Sequence, residues 1–465
     1  MSRAGGGTVT RMFGHYLSPE MVVLWLLEFA IFAVGAQALL LAGEFGPAGV
    51  GQAGVGPGAG ILGQAAILAM TAGLISVAIG LYRPEICLDA RRLLINTAVA
   101  GVLTLPAVLA IGLMTGIDTG VLRGPSLFRP VGFVLGWIAI LFASRVAFSL
   151  AMRLNVFARR VLIIGTAAEA APTETAIRSL RRGFFTVAGV LPPGAGPRLA
   201  PAVLLRQRIW GVVVTAGARG LVPQDELLRC RHAGIGMFGD VEFREQQLRR
   251  IDLERLEADW MLFAPGLARG RAEQAVRRGF DVVISLLFLI ATLPVMLLTA
   301  AAIRLDSPGP ALYRQERVGL HGRVFTLLKF RSMRIDAEQR GPIWASQKDP
   351  RVTRIGAFLR RVRIDELPQL FNVLQGSMCF VGPRPERPHF VEQLAEVIRF
   401  YQDRASVKPG ITGWAQVNFP YGASIEDARQ KLSYDLYYVR HRSLFLDLLI
   451  LFATVRVILF QEGSR

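Results

Sequence analysis

Cysteine is scarce. Cys87, Cys230 and Cys379 are the only three in 465 residues. An odd, scattered set offers neither a disulfide framework nor a metal-binding spacing, so a stapled secreted domain is excluded and a reducing, cytosol-facing setting fits. Each thiol reads as a small buried hydrophobe rather than a reactive group. Acid is also short: 35 Asp and Glu stand against 53 Lys and Arg, a formal net charge of +18. Such a balance suits anionic lipid, phosphate-bearing substrates or nucleic acid. A dinucleotide fingerprint is missing too. Gly165-Thr166-Ala167-Ala168-Glu169-Ala170 keeps only the first glycine of G-x-G-x-x-G, and an alanine replaces the glycine that lets backbone approach a pyrophosphate. Finally, the first apolar run follows a long tail and is not succeeded by a small-residue cleavage site, which excludes a signal peptide.

What is abundant is apolar sequence. The chain is 52% hydrophobic with a mean hydropathy of +0.41. Four runs, Met21–Leu41, Ile61–Leu81, Leu93–Met114 and Val131–Leu150, are each long enough to cross ~30 Å of hydrocarbon as helix. Glu28, Pro106 and Arg145 interrupt them. With these spans present, lipid and phosphate become the expected anionic partners and nucleic acid does not. The segment from Gly43 to Gly60 has no Lys or Arg, whereas Arg83, Arg91 and Arg92 follow the second run and Arg153, Arg159 and Arg160 follow the fourth. The positive-inside rule therefore puts both ends of this block in the cytoplasm, against a weaker opposing signal from Arg123 and Arg129. Glu28 is either an interior acid without a catalytic task or the partner of another polar group in the bundle. Beyond residue 155 the pattern changes. Val161–Gly165 and Trp210–Ala216 read as short buried strands, with a helix between them reaching Arg181. This predicts a small α/β domain with a parallel sheet over 156–265.

The densest chemistry lies between Lys329 and Glu386. KFRSM is followed by FLRRVRIDELPQLFNVL and then by VGPRPE. Asp365 and Glu366 adjoin Arg360, Arg361 and Arg363, with Arg384 downstream. Guanidinium forks bind phosphoryl oxygens bidentately, and adjacent acids repel unless a cation lies between them; a divalent metal with a phosphate substrate supplies one. Lys329 and Arg331 flank Phe330, so both are expected to project from one strand face toward an anion, the plainer alternative being a solvated basic face. On a helix, Asp365 and Glu366 point about 100° apart and can take different roles; an acidic pair serving only a helix dipole is the plainer reading there. Val381–Glu386 forms a proline-stiffened turn that fixes the pose of Arg384.

These motifs, from about Arg277 to the C-terminus, resemble the bacterial sugar transferases. More narrowly, they resemble the monotopic polyprenyl-phosphate phosphoglycosyl transferases of exopolysaccharide synthesis. PYGASIEDARQKLSYDLYY resembles that branch in particular. The resemblance implies a catalytic domain over 271–465, α+β in class, with a re-entrant membrane helix at 278–304 broken at Pro294. A four-span α-helical bundle (1–155) and a Rossmann-like middle domain would precede it. The larger family members carry such an arrangement, and an empty module for regulation or assembly is the expected role of the middle domain. The residues favour the re-entrant form as well. Arg277, Arg278 and Arg304 flank the apolar run, Pro294 removes a helix hydrogen bond, and a full crossing would carry the phosphate-binding stretch outside. Thr292 is one step away from the serine common in relatives. An ordinary fifth membrane-spanning helix is the alternative.

The resemblance further implies that Asp365 is the nucleophile, attacking the β-phosphate of a UDP-sugar, releasing UMP and carrying the phosphosugar until polyprenyl phosphate in the inner leaflet takes it. Glu366 would position the acceptor or act as base. Mg2+ would be shared by Asp365 and the diphosphate, and Arg360, Arg384, Lys329 and Arg331 would bind substrate phosphate. The setting implied is the cytoplasmic face of a bacterial inner membrane, with a homo-oligomer and polysaccharide assembly proteins as possible partners. Ser377 stands where relatives carry an acid, and reads as a turn residue. Lys408, Trp414 and Gln416, in Val407–Asn418, are expected to touch nucleotide or membrane, Trp414 equally as an interfacial anchor. Leu444–Phe460 is expected as a shallow membrane-surface helix. A scaffold derived from the family and a nucleotide-sugar oxidoreductase using the middle domain are the competing classes. The identity of the sugar is not legible.

Overall fold

The structure is a computed structural model. It describes residues 10–12, 15–17, 19–44, 57–82, 90–115, 128–154, 156–179, 185–194, 199–256, 260–261, 264, 267, 270–335, 337, 350–419, 422 and 424–459. Two compact units divide between Phe243 and Arg244.

The N-terminal unit opens with four apolar helices: α1 (Pro19–Glu44), α2 (Pro57–Ala78), α3 (Ala90–Thr115) and α4 (Phe128–Arg153). Those helices hold windows long and apolar enough to cross a membrane at Glu20–Ala38, Leu93–Ala110 and Val134–Met152, while the apolar stretch of α2, Gly63–Ala78, is shorter. Apolar side chains such as Val34, Val102 and Leu135 face outward, as expected of helices in lipid. Glu28 has partners. Arg145 Nη1 lies 3.0 Å from Oε1, Ser144 Oγ donates to Oε1 at 2.5 Å and Tyr82 OH donates to Oε2 at 2.6 Å. Both charges are 0% exposed, so of the two readings of Glu28 the bundle partner is the one found. The basic positions Arg83 and Arg123, on which the orientation argument partly rests, lie outside the described residues.

The same unit continues as an α/β domain: β1 (Arg159–Ile164), α5 (Ala167–Ser179), β2 (Phe185–Leu191), α6 (Pro201–Arg206), β3 (Ile209–Val214), α7 (Gln224–His232), β4 (Gly236–Gly239) and the start of α8 (Asp240–Leu248), which from Arg244 onward counts with the C-terminal unit. All four strands are parallel, in the order β2-β1-β3-β4. The helix expected to reach Arg181 is described to Ser179; the rest lies outside the described residues. At the sheet's carboxyl edge, where a pyrophosphate would sit in a dinucleotide fold, Glu169 puts its own carboxylate. Its Oε2 accepts from Thr215 Oγ1 at 2.8 Å and from Thr166 N at 3.3 Å.

The C-terminal unit is built on α9 (Arg271–Asp306), 36 residues assigned without interruption through Pro294. A broken pair of helices was expected at 278–304. The helix instead starts earlier, and Thr292 Oγ1 bonds the carbonyl of Phe288 at 2.7 Å rather than that of Ile290, the one left free by the proline. One narrow face of α9 packs on the unit, at Arg277, Asp281 and Ser285 and again at Met296, Thr299 and Ile303. Arg277 pairs with Asp447, Arg278 caps the carbonyls of Val373 and Leu374 at 2.6 Å each, and Asp281 Oδ1 accepts from Phe380 N at 2.9 Å. Further on, Met296 and Ile303 pack with Ala311, Phe330 and Leu359. The other face exposes Leu287, Ile290, Leu297 and Leu298.

Next come β5 (Leu312–Val318) and β6 (Val324–Phe330), an antiparallel hairpin around Gly319–Gly322. They are followed by α10 (Arg354–Arg361), α11 (Gln369–Gln375), β7 (Cys379–Val381), α12 (Pro388–Val397), β8 (Gly410–Thr412), α13 (Trp414–Asn418), α14 (Ile425–His441) and α15 (Leu444–Leu459). Strands β7 and β8 pair in parallel. Leu256, Trp260 and Ala264, which the sequence assigns to the middle domain, are buried in this unit's core with Leu370, Tyr437 and Ile450. Helix α15 supplies Leu446, Ile450 and the Asp447 partner of Arg277 to that core.

Candidate active site

Three segments bring the charged residues together. The hairpin comes first. Lys329 faces Tyr313 across the ladder and sends Nζ to within 3.4 Å of Glu366 Oε1. Arg331 lies one residue past the end of β6, so the strand's alternation no longer directs it. Its guanidinium donates to the carbonyls of Pro308 and Ser307 at 2.6 and 2.8 Å and to Ser307 Oγ at 3.0 Å. Arg331 lines the same cavity as Lys329, but its two terminal nitrogens also cap the carboxyl end of α9, so the two side chains are held differently.

The second segment carries the acid pair. Thr353 Oγ1 caps α10 by accepting from Gly356 N at 2.9 Å. A Cβ at position 356 would lie 2.0 Å from the carbonyl oxygen of Ser332, so only glycine lets α10 approach this closely. Helix α10 ends in Arg360 and Arg361, and then Arg363 adopts a left-handed conformation with φ of 62°. That is a costly state for a residue with a Cβ, held here by its surroundings. It swings the chain into a 3-10 turn, Ile364–Glu366, before Pro368 and α11. Asp365 and Glu366 thus stand in a tight turn between two helices, not on a regular helix whose dipole they might serve.

Their environments differ. Glu366 is met by Arg384 at 2.8 Å, Lys329 at 3.4 Å and Arg363 at 3.7 Å. Burial alone would raise its pKa, but the Arg384, Lys329 and Arg363 charges overcome it and hold the carboxyl well below the usual range. Asp365 is 8% exposed, and no described residue hydrogen-bonds its carboxylate. Burial, then the Glu366 charge, push its pKa up; Lys329, Arg384 and Arg360 pull the other way. Two adjacent acids are therefore set apart, one a fixed anion among cations, the other a less solvated carboxylate with open oxygens. Burial lowers the pKa of Lys329, with Glu366 opposing.

The third segment is the turn Val381–Glu386, fixed by bonds to both flanks. Gly382 N donates to Thr412 O at 2.8 Å and Gly410 N to Pro383 O at 2.9 Å. Arg404 and Arg317 donate to the carbonyls of Arg384 and Pro385, each at 2.9 Å. A Cβ on Gly382 would meet Lys408 O at 2.5 Å. Arg317 and Arg404 escaped the sequence reading because neither sits in a motif that distinguishes it from the other arginines of a basic chain.

Asp365, Glu366, Arg360, Arg384 and Lys329 all line one cavity of about 490 Å³. Eleven Lys and Arg residues line it against four acids, a field that calls for a polyanion. Lys408, Trp414 and Gln416 do not line it. Trp414 is 5% exposed, stacks on Tyr437 and donates to Arg249 O at 2.9 Å, so it is a core residue rather than an interfacial anchor. Ser377 donates to Asn372 O at 3.1 Å, closing the turn after α11. Among the described residues no three His, Cys, Asp or Glu side chains gather as a metal cage. A magnesium ion bound through one carboxylate and substrate phosphates needs no such cage, and the open oxygens of Asp365 in a cavity rich in bases fit that donor set.

Comparison with known proteins gives the same region a family. The profile described as "Bacterial sugar transferase" matches residues 272–461. The UDP-N-acetylgalactosamine-undecaprenyl-phosphate N-acetylgalactosaminephosphotransferase of Aeromonas hydrophila is 42% identical over 239 residues, 51% of this chain and 56% of that protein. The undecaprenyl-phosphate glucose phosphotransferase of Komagataeibacter xylinus is 34% identical over 322 residues, 66% of this chain and 60% of that protein. The chain thus spans less than two thirds of either relative's length. The exopolysaccharide production protein PSS of Rhizobium leguminosarum bv. phaseoli is 42% identical over 189 residues, 39% of this chain and 93% of that protein. On these matches, the chain belongs to the bacterial sugar transferase family.

Proposed function

We propose that the protein transfers a sugar 1-phosphate from a UDP-sugar to polyprenyl phosphate, the first membrane step of exopolysaccharide synthesis. The observation that carries this reading is the buried, inequivalent pair Asp365 and Glu366 in a cavity lined by eleven bases and four acids. The names of the relatives, which pair undecaprenyl phosphate with glucose or N-acetylgalactosamine, point the same way.

The chemistry follows from the residues. An oxygen of Asp365 attacks the β-phosphorus of the UDP-sugar; the bond from that phosphorus to the bridging oxygen breaks, and UMP departs with the electron pair. The sugar phosphate now rests on Asp365 as an acyl phosphate, reactive enough to be passed on. An oxygen of polyprenyl phosphate attacks the same phosphorus and expels the Asp365 carboxylate, giving a polyprenyl diphosphate sugar. Arg384 and Lys329, held by Glu366, face the charge that builds on the leaving phosphate, and Arg360 binds a substrate phosphate beside Asp365. When bound, Mg2+ held by Asp365 and the diphosphate supplies charge neutralisation. Glu366 acts as the anchor of the cations, since its oxygens are already engaged by them.

Placement follows too. Helix α9 exposes an apolar face, which supports its contact with lipid; Arg277, Arg278, Arg304 and Pro294 are the grounds for reading it as dipping into the inner leaflet and returning, with the cavity at the headgroup plane on the cytoplasmic side. The middle domain is a Rossmann-like module that regulates or assembles rather than reacts. The test is UMP release from a panel of UDP-sugars by membranes holding the full chain, with and without Asp365→Asn. UMP lost only in the variant is expected. Release of UDP would mean ordinary glycosyl transfer, and no turnover with any UDP-sugar would favour a scaffold.

A further inference from the structure

Arg404 and Asp435 lie outside every motif that marks the site, yet both line its cavity, and Arg404 also meets it through the backbone. Arg404 is in the 3-10 segment Tyr401–Ser406, and Asp435 is in the middle of α14. The Asp435 carboxylate is 2% exposed and pairs with Arg404 Nη2 at 2.8 Å. The same guanidinium donates through Nη1 to Tyr401 OH at 2.9 Å and through Nη2 to the carbonyl oxygen of Arg384 at 2.9 Å. The peptide that carries this carbonyl ends on the Pro385 nitrogen, which has no N–H to donate. Arg384 in turn reaches Glu366 Oε1 at 2.8 Å. A continuous line of bonds therefore runs from α14 through one buried guanidinium to the Arg384 main chain, and along its side chain to the acid pair.

We propose that Arg404, oriented by Asp435, is a positioning residue that sets the pose of Arg384, and with it the cation that faces the leaving phosphate. The proposal rests on the transferase reading for the identity of that phosphate. Arg404 is suited to this because a planar fork holds several acceptors in fixed directions. Its carboxylate partner keeps the buried charge compensated, so the guanidinium stays in place when a polyanion enters and leaves. Arg404 itself is not assigned to substrate. Other charged groups near Asp435 are Glu386 and Lys431.

A double-mutant cycle on the full-length protein in detergent tests this, reading kcat and KM for UMP release and, separately, UDP affinity by calorimetry. Arg404→Gln is expected to lower kcat by about tenfold or more with KM moved less than about threefold, as for an interaction felt in the transition state. Arg384→Ala is expected to cost more. The double variant is expected to be no slower than Arg384→Ala alone, because Arg404 acts only through it. Two losses that multiply would overturn the proposal. Arg404→Lys keeps a charge beside Asp435 but cannot fork to three acceptors; full rescue by lysine would also overturn it. If Arg404→Gln fails to fold, the cycle is run with Arg404→Lys and with Asp435→Asn, and the same non-additivity is required. The UDP arm separates the two ideas. Coupled losses of UDP affinity without UMP release by wild type would retain the positioning role and sink the transferase reading. UMP release with independent losses would do the reverse.

Discussion

Replacing Glu366 with glutamine tests the electrostatic core of the site. The side chain is 11% exposed and faces Arg384 at 2.8 Å, Lys329 at 3.4 Å and Arg363 at 3.7 Å. At an effective dielectric near 20, each of the two closer contacts is worth about 5–6 kcal/mol in gross attraction. Desolvation of the carboxylate and repulsion among the three cations offset most of that sum. What is left can be bounded from the other side. Removing one member of a buried pair leaves an uncompensated charge, at about 3–5 kcal/mol; Lys329, at 16% exposure, is the group stranded. For a unit of this size, about 2–4 °C per kcal/mol turns the lower figure into a fall of roughly 6–12 °C in the melting midpoint. The pH dependence has a definite sign. The folded pKa is held below the ordinary one, so the contribution is fully present above the usual carboxyl range, near 4.3, and is lost on acidification through the depressed value. The gap between Glu366→Gln and wild type should therefore be widest at neutral pH. Pyrophosphate supplies the missing anion, so it should raise the midpoint of the variant more than that of wild type in a detergent thermal-shift assay. Equal midpoints, or equal stabilisation by pyrophosphate, would refute the account of Glu366 as the counter-charge that keeps the phosphate-binding cations assembled.

Other outcomes follow from single contacts. The raised pKa of Asp365 places the acid limb of UMP release above the ordinary carboxylate range; Arg360→Gln removes a neighbour that opposes the shift and should move that limb further up, as a pH profile of kcat will show. Arg145→Met leaves the buried Glu28 without a counter-charge, though still bonded by Ser144 and Tyr82, and should reduce the stability of the N-terminal helices by about 3–5 kcal/mol, whereas Glu28→Leu with Arg145→Met should restore most of it. Gly382→Ala drives a Cβ to 2.5 Å from Lys408 O; it should displace the turn bearing Arg384 and cut UMP release by about a hundredfold or more, while Asp365→Asn leaves the melting midpoint nearly unchanged.

Much of the site was legible because its chemistry is written in contiguous sequence. KFRSM, RIDELP and VGPRPE put Lys329, the acid pair and Arg384 on three short segments, and the turn chemistry of glycine and proline said where each segment bends. The four apolar helices were equally plain from hydropathy. What stayed hidden depends on where a strand stops or how a helix packs. Arg331 looked like the twin of Lys329 because alternation in a strand is a strong local rule; β6 ends one residue too soon for it to apply. Trp414 looked like a membrane anchor because tryptophan suits an interface, yet Tyr437, distant in sequence, stacks on it. Arg404 was invisible because its acceptor is a main-chain carbonyl, which has no signature in the side chains. The helix at Arg271–Asp306 showed its apolar length in sequence, but the run of contacts with α10, α11 and β7 that holds it against the unit appears only when distant segments are brought together.

The grip of Arg331 on the end of α9 has a mechanical corollary. One residue, Phe330, separates that anchor from Lys329, so the pose of α9 is tied, through a single guanidinium, to the placement of an ammonium group in the cavity. On the proposed reading of α9 as a helix that dips into the leaflet, thinning or stiffening the lipid would tug on that linkage, and turnover would register the thickness of the bilayer as a lever registers load.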